Sequence, residues 1–273
     1  MAIWKSENTQ SGLNALALSV SASGYAPLNT DWPSENVCSP YSRLYLVESG
    51  EGLLEANHQP VVMRPGFVYL VPPGLRFSYS CSGSFSKLFF HVSLLKPNGY
   101  DLFQSFGRIG AIPLEQTRFQ ALLRLYRGTQ LSDTVRLKLR LYEILDQFME
   151  QYAFAREDIT LYSRHVWETI RYIQSNLSAR LSVQMLAERL CVAKSFLSDK
   201  FRGEGGGPLG KYIDDQLMAS AQWQLLRTDA SIGEISNTLG FCDQFYFSRR
   251  FKQLCGETPL QYRKKSRAVD QLQ

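Results

Sequence analysis

The chain has 273 residues, 44% of them hydrophobic, so it is long enough for one large or two ordinary domains with a buried core. No apolar run approaches the roughly 18 residues of a membrane span, and the first residues lack the basic-then-apolar order of a secretory signal. The five cysteines are odd in number and scattered, which favours reduced thiols and a cytoplasmic protein over a disulfide framework.

The net charge of +5 lies in the second half of the chain. Residues 1–162 carry 14 Lys+Arg and 14 Asp+Glu, whereas residues 163–273 carry 16 and 11 and so supply the whole excess. We therefore expect any polyanion to bind the second half.

Residues from about 10 to 95 read as short strands. Alternating apolar runs such as "SRLYLVESGEGLLEANHQPVVMRPGFVYLVPPGLRFSYS" are divided by the turn sequences "ESGEG", "RPG" and "PPG". Closely spaced short strands of this kind predict an antiparallel barrel or sandwich.

From about 115 to 155 the apolar period becomes helical. One helix carries an apolar stripe that can pack either on its own barrel or on a second subunit, and this stripe is our candidate dimer interface. It consists of Leu137, Leu141, Ile144, Leu145, Phe148 and Tyr152. The polar segment 154–160 has no period and reads as a linker.

The residues after about 164 read as helices and contain an internal repeat. "LAERLCVAKSFLSDKF" (186–201) aligns with "ISNTLGFCDQFYFSRRF" (235–251), with an offset of 49 before the turn and 50 after it. One extra residue in the second turn explains the change. Each copy reads as a helix, a tight turn and a second helix, the pattern whose second helix enters the DNA major groove.

Capping signals support the second copy. Ser231 and Glu234 form a predicted capping box, Gly240 stands where the first helix must end with positive φ, and Asp243 caps the next helix. In that helix, Phe247 and Phe251 are expected to face the core, while polar and basic residues take the opposite face.

A connecting helix is predicted between the two copies, from about Leu209 to Leu226. Its expected buried face is Leu209, Tyr212, Ile213, Leu217, Ala221 and Leu225. Eighteen residues span roughly 27 Å, which with its turns approaches the ~34 Å between successive major-groove segments. One chain could therefore place two recognition helices in adjacent segments.

Residues 180–265 closely resemble the DNA-binding domain of the AraC/XylS family of bacterial transcription regulators. The likeness is carried by "IGEISNTLGFCDQFYFSRRFKQLCGETPLQYR", which matches the family's C-terminal signature without a break. The resemblance implies double helix-turn-helix binding to an operator in double-stranded DNA, and regulation of initiation by contact with RNA polymerase.

The resemblance also implies roles for individual residues. The positions that fall where the family reads bases are Lys194, Ser195, Ser198 and Asp199 in the first copy and Gln244, Phe245, Ser248 and Arg249 in the second. The candidate phosphate contacts are Lys200, Arg202, Arg250, Lys252 and Arg263. Asp199 departs from a basic reading face: it can accept a hydrogen bond from cytosine N4 or pair with Arg202.

The strand region, with "PGFVYLVPPGLRFSY", resembles the cupin-type ligand domain common in this family. Its polar-tipped strand residues fit a small-molecule effector, of which a sugar is the expected class, since rings stack on sugars while Arg and His bond hydroxyls or a carboxylate. These residues are Trp32, Tyr41, Arg43, Tyr69, Arg76, Tyr79 and His91. The alternative is that they are packing and surface residues of the barrel, and His91, between Phe90 and Val92 on an apolar strand, also reads as a hydrogen-bonded core histidine. The histidine set of metal-binding cupins is missing, so we expect neither a metal nor another cofactor.

The predicted fold is α+β and multidomain, an N-terminal antiparallel cupin-like β-barrel with appended helices and a C-terminal all-α double helix-turn-helix. The expected divisions are an effector-binding barrel (1–112), a helical dimerisation segment (113–155), a linker (156–163) and a DNA-binding domain (164–273). The predicted function is an effector-responsive, dimeric transcription activator in the bacterial cytoplasm, at the nucleoid. The alternatives are a non-sensing dimeric DNA-binding regulator and a cupin enzyme with accessory helices.

Overall fold

The structure, a computed structural model, describes residues 16–30, 33–153, 162–205 and 207–264. The described chain divides into two compact units. One, the β unit, consists of residues 16–95 and 101–153. The other, the helical unit, consists of residues 96–100 and 162–264. The predicted residue Trp32 and most of the predicted linker, 156–161, lie outside the described residues.

The β unit is built from antiparallel strands in two sheets, which confirms the predicted fold class. The larger sheet has the order β1-β8-β3-β6-β9 and the smaller the order β2-β7-β4-β5. The strands are β1 (Ala17–Leu28), β2 (Ser34–Val37), β3 (Ser42–Ser49), β4 (Gly52–Ala56), β5 (Gln59–Met63), β6 (Phe67–Val71), β7 (Phe77–Cys81), β8 (Phe85–Leu95) and β9 (Gly110–Pro113).

Both faces of the larger sheet are covered, so β8 is a nearly continuous buried run rather than an alternating one. One face packs on helices α1 (Gln116–Arg127) and α2 (Leu131–Gln151). The strand residues that point to this helix-covered core include Leu44, Leu46, Leu88, Phe90 and Val92. Their neighbours in sequence point to the opposite face, because side chains alternate along a strand.

The stripe of α2 packs on its own sheet, which resolves the two alternatives that the sequence left open. Leu141, Ile144, Leu145 and Phe148 are buried in the helix-covered core. Each such side chain contributes roughly 1.5–3 kcal/mol by leaving water. The stripe is therefore not available as a dimer surface.

The helical unit contains the four helices predicted from the sequence repeat, the predicted connecting helix and one helix before them. They are α3 (Arg164–Ser175), α4 (Val183–Arg189), α5 (Lys194–Gly205), α6 (Leu209–Arg227), α7 (Ile232–Thr238) and α8 (Gln244–Cys255). Residues 259–264 are also helical. The connecting helix α6 begins at the predicted residue and ends one residue later, and all six residues of its predicted inner face are buried.

None of the helices that the structure describes is both long and apolar enough to cross a membrane.

Candidate nucleic-acid interface

The turns between α4 and α5 and between α7 and α8 have matching backbones. Cys191 has φ 54° and Gly240, 49 residues later, has φ 75°, both in the left-handed region. The next N–H in each turn closes the same bond: Val192 donates to the carbonyl of Ala187, and Phe241 to that of Ser236, each at 3.0 Å. The repeat seen in the sequence is thus a repeat of backbone geometry.

Side-chain caps fix the start of three of these helices. The Ser182 hydroxyl accepts from the N–H of Met185 (3.2 Å) at α4. At α7, Glu234 N–H donates to Ser231 Oγ (3.1 Å) and Ser231 N–H donates to Glu234 Oε2 (2.6 Å), which confirms the predicted capping box. At α8, Asp243 accepts from the N–H of Tyr246 (2.7 Å), and this bond lowers the pKa of the Asp243 carboxyl. A carboxylate is also favoured there by the helix dipole.

Helix α8 sorts its side chains by face. Phe247 and Phe251 are buried, as predicted, and pack against each other with ring centroids 5.9 Å apart. The opposite face exposes Gln244, Phe245 and Arg249, with Ser248 partly buried between them. Phe245 is 79% exposed, which is unusual for a phenyl ring, since large apolar side chains are generally buried.

Helix α5 is arranged in the same way. Leu197 and Phe201 are buried, whereas Lys194, Ser195 and Asp199 are exposed and Ser198 is partly buried. The structure thus brings together each predicted base-reading set on the outer face of its own helix.

Two half-exposed aromatic rings on these helices were missed by sequence reasoning, and each packs on one side against a ring of the helical unit, His165 or Phe241. Phe196 on α5 and Tyr246 on α8 are each 45% exposed, and they are related by the same 50-residue offset as the predicted contacts. Applying that offset to every position of the second helix, rather than to the apolar ones, would have found the pair.

Three of the five predicted phosphate contacts are engaged inside the helical unit. Lys200 pairs with Glu204 (3.0 Å), and Arg250 pairs with Asp214 on α6. The guanidinium of Arg263 donates to the carbonyls of Leu225 and Ala230, at the end of α6 and in the following loop. Arg202 and Lys252, by contrast, are exposed on α5 and α8.

The two helix-turn-helix copies are held together by direct contacts as well as by α6. The N–H of Ala179, just before α4, donates to the carbonyl of Leu239 at the end of α7 (2.7 Å), and Arg250 of α8 reaches Asp214 of α6. With 19 residues, α6 is about 28 Å long. The recognition helices α5 and α8 are therefore carried on a stiff element.

Comparison with known proteins identifies this arrangement. A family model described as a helix-turn-helix domain matches residues 186–265. The arabinose operon regulatory protein of Salmonella typhimurium is 27% identical over 236 residues, 81% of this chain and 82% of that protein. The transcriptional activator AarP of Providencia stuartii is 31% identical over 111 residues, 41% of this chain and 82% of that protein. The chain belongs to the AraC/XylS family of transcription regulators.

A solved structure supports the same fold over nearly the whole chain. An apo variant of ToxT from Vibrio cholerae superposes with a TM-score of 0.53 at 14% identity, covering 92% of this chain and 98% of ToxT. This likeness shows that the β unit and the helical unit each share their fold with ToxT.

Most of the predicted effector residues lie on the inner faces of the β unit. Tyr41, Arg43 and His91 are buried next to one another: the rings of Tyr41 and His91 stack at 4.6 Å, and the Arg43 guanidinium lies 5.5 Å from the Tyr41 ring centroid. Arg43 also lies 5.8 Å from the ring of Phe77 on the smaller sheet. The interior between the two sheets therefore holds this cluster.

The other predicted effector residues are placed differently. Tyr79 is buried beside Phe77 on β7. Tyr69 is buried, and its hydroxyl accepts from Arg64 N–H and donates to the Val62 carbonyl; burial raises its pKa. Arg76 is half-buried and donates to Asn36 Oδ1 (3.3 Å), so it lies apart from the Arg43 cluster.

Within the described ranges, no group of three or more His, Cys, Asp and Glu side chains is arranged to hold a metal ion. The chemistry that the interior offers is hydrogen bonding, ring stacking and positive charge.

Proposed function

We propose that the protein binds a DNA operator in the bacterial cytoplasm and activates transcription through RNA polymerase, using both helix-turn-helix copies of each chain. The observation that carries the proposal is the matched pair of turns, each followed by a helix with buried rings inside and polar groups outside. A single amphipathic helix of this kind is common on protein surfaces. Two copies on one stiff element are typical of groove binding.

We propose that the outer faces of α5 and α8 read bases. Arg249 has the geometry to contact guanine O6 and N7, Gln244 suits adenine, and Asp199 suits the amino group of cytosine. The exposed ring of Phe245 suits contact with a thymine methyl. Arg202 and Lys252 supply phosphate contacts, since their positions on the same helices are exposed.

We propose that the protein dimerises through a second stripe of α2, made of Leu131, Val135 and Leu139. These side chains are 80%, 53% and 57% exposed and recur every four residues. Apart from Asp133 in the first turn, the charged residues of the first half of the helix are basic (Arg136, Lys138, Arg140), and those of the second half are acidic (Glu143, Asp146, Glu150). If two copies of the helix packed antiparallel, the basic half of each would lie against the acidic half of the other. The surface would then be self-complementary, as an interface with two-fold symmetry requires.

We propose that a sugar-like effector in the β unit shifts the population between arrangements that differ in operator affinity. The relative from Salmonella typhimurium regulates an arabinose operon by its name, and the inner faces here combine tyrosine rings with Arg43 and His91. The family consists of regulators, and we propose binding without catalysis for this domain.

Selection of genomic DNA fragments on the full-length protein tests the function. We expect enrichment of a promoter fragment bound at least about 1,000-fold more tightly than random DNA, and increased transcription from it by purified RNA polymerase when the protein is added. Enrichment of no sequence over random fragments would contradict the proposal, and lowered transcription would make the protein a repressor.

A further inference from the structure

Two cationic side chains are buried inside the β unit. Arg43 on β3 is 1% exposed and Lys87 on β8 is 0% exposed. Both lie on the face opposite the helix-covered core, and the strand register sets Arg43 against His91 and Val47 against Lys87. Burying a charge costs free energy unless an opposite charge or hydrogen bonds offset it. The kind of ligand that this interior binds therefore depends on which groups offset the positive charges of Arg43 and Lys87.

The acidic side chains described near this interior are engaged elsewhere. Asp101 is the one acid among the buried residues that the structure describes. Its carboxylate accepts from the N–H groups of Leu94 (3.0 Å) and Phe103 (2.9 Å), where it caps a short 3-10 helix. Half-buried Glu48 accepts from the hydroxyls of Tyr25 and Ser86.

The hydrogen-bond partners of Arg43 are neutral among the described residues. Its Nε and Nη2 donate to Ser39 Oγ (3.0 and 2.9 Å), and its Nη1 donates to Tyr45 Oη (3.4 Å). A guanidinium has five N–H groups and stays charged. Within the part of the chain that the structure describes, two of its N–H groups have no acceptor, and these are the donors that a ligand could use.

Lys87 lies close to the same cluster. Its Nζ is 3.8 Å from the ring centroid of Tyr45 and 5.8 Å from that of Phe89. Burial, and then repulsion from Arg43, hold the pKa of Lys87 well below its usual range. An anion bound beside both groups would favour the protonated lysine, because an opposite charge nearby stabilises the charged form.

We infer that the interior of the β unit binds a small ring-shaped molecule that carries a carboxylate, either a sugar acid or an aromatic acid. This inference rests on the proposed effector function and specifies its chemistry. The carboxylate accepts hydrogen bonds from Arg43 and lies within reach of the charge on Lys87, while the flat face of the molecule stacks on the inner rings, of which Tyr41 and Phe77 flank Arg43.

The test compares acids with their neutral parents on the full-length protein at matched ionic strength. Thermal unfolding is followed with the acids D-glucuronate, D-galacturonate and benzoate, with their neutral parents D-glucose, D-galactose and benzyl alcohol, and with glucose 6-phosphate. We expect a carboxylate to raise the melting temperature where its neutral parent does not, since ligand binding to the folded state alone stabilises it. A shift with the uronates identifies a sugar acid, and a shift with benzoate an aromatic acid. A shift with the sugar phosphate alone would overturn the carboxylate assignment.

The variant Lys87→Met separates charge from packing, because methionine retains a flexible apolar stem against Tyr45 and Phe89. We expect affinity for the acid to fall about tenfold or more, with no change for a neutral sugar. Arg64→Met is the matched control, since it removes one positive charge from an exposed position of the same unit, and it should bind like the parent protein.

The outcomes distinguish failure of the carboxylate inference from failure of the proposed effector function. Neutral sugars that shift unfolding as strongly as the acids, together with unchanged binding in Lys87→Met, would overturn the anionic ligand and leave the effector function standing. If no molecule of the panel shifts unfolding while operator binding persists, the effector function itself is wrong and the inference falls with it.

Discussion

The two helix-turn-helix copies differ at the residue that ends their first helix. Cys191 adopts the left-handed conformation that glycine adopts at position 240. A side chain in this region costs roughly 1–2 kcal/mol, and glycine costs roughly 0.5–1 kcal/mol in backbone entropy. We therefore expect Cys191→Gly to raise the free energy of unfolding by about 0.5–1 kcal/mol, measured by urea denaturation followed by the helical circular dichroism signal.

The opposite substitution in the second copy is the control. At Gly240 a Cβ would lie 2.1 Å from the Ser178 Oγ and would also require a strained φ. Gly240→Ala should lower the free energy of unfolding by about 1–3 kcal/mol. A destabilised Cys191→Gly protein would show that the two turns are not equivalent.

Adjacent arginines on α8 have separable roles. Arg249 is exposed on the proposed reading face, whereas Arg250 is half-buried and paired with Asp214. Arg249→Ala should cost about 1–3 kcal/mol of operator affinity and relax the preference at one base position, with unchanged stability. Arg250→Ala should lower stability by roughly 0.5 kcal/mol, since the pair is partly screened by solvent. Quantitative binding to operator and to single-base variants, with denaturation in parallel, measures both.

If Arg249→Ala binds the operator and its variants like the parent protein, the orientation proposed for α8 is wrong. A loss in Arg249→Ala that is equal for every DNA sequence would reassign Arg249 as a phosphate contact.

At the scale of elements, α2 carries two apolar stripes with different partners. The stripe that includes Leu141 and Phe148 packs on its own sheet, whereas the stripe of Leu131, Val135 and Leu139 is exposed. Leu139→Glu should weaken dimerisation by about tenfold or more, measured by sedimentation equilibrium, and should leave stability nearly unchanged because the side chain is exposed. Thr134→Glu adds the same charge at an exposed position outside that stripe. Equal association of both variants and the parent would contradict the interface.

The helical unit could be predicted closely from the sequence because its signals are local. The capping box at Ser231, the cap at Asp243 and the positive φ at Gly240 each depend on residues within one or two turns, and the structure confirms all three. The left-handed conformation of Cys191 could not be predicted, because cysteine, unlike glycine or asparagine, has no preference for positive φ.

The interior of the β unit could be predicted only in part, because its faces are set by long-range pairing. Arg43 and His91 were recognised as candidates, but Lys87 was not, since one apolar strand gives no sign of which face is the interior. That assignment requires the register between β3 and β8 and the helices that cover the other face. For the same reason the sequence left open whether α2 packs on its own sheet.

At the scale of the whole molecule, the proposed function requires that a single chain contact DNA twice. Both reading helices belong to one helical unit and are joined by α6 and by the bond from Ala179 to Leu239. Because this connection is stiff, the two sets of contacts should keep a fixed spacing on the operator, whatever effector the β unit binds.

Methylation interference at guanine N7, which lies in the major groove, tests this requirement most directly on a single operator half-site bound by the full-length protein. We expect two clusters of guanines whose methylation blocks binding, about 10 base pairs apart, one helical turn of DNA. Substitution of Lys194 and Ser198 by alanine on α5 should abolish one cluster, and Arg249→Ala on α8 should weaken the other. A single cluster, or loss of the same cluster in both variants, would contradict reading by two units of one chain.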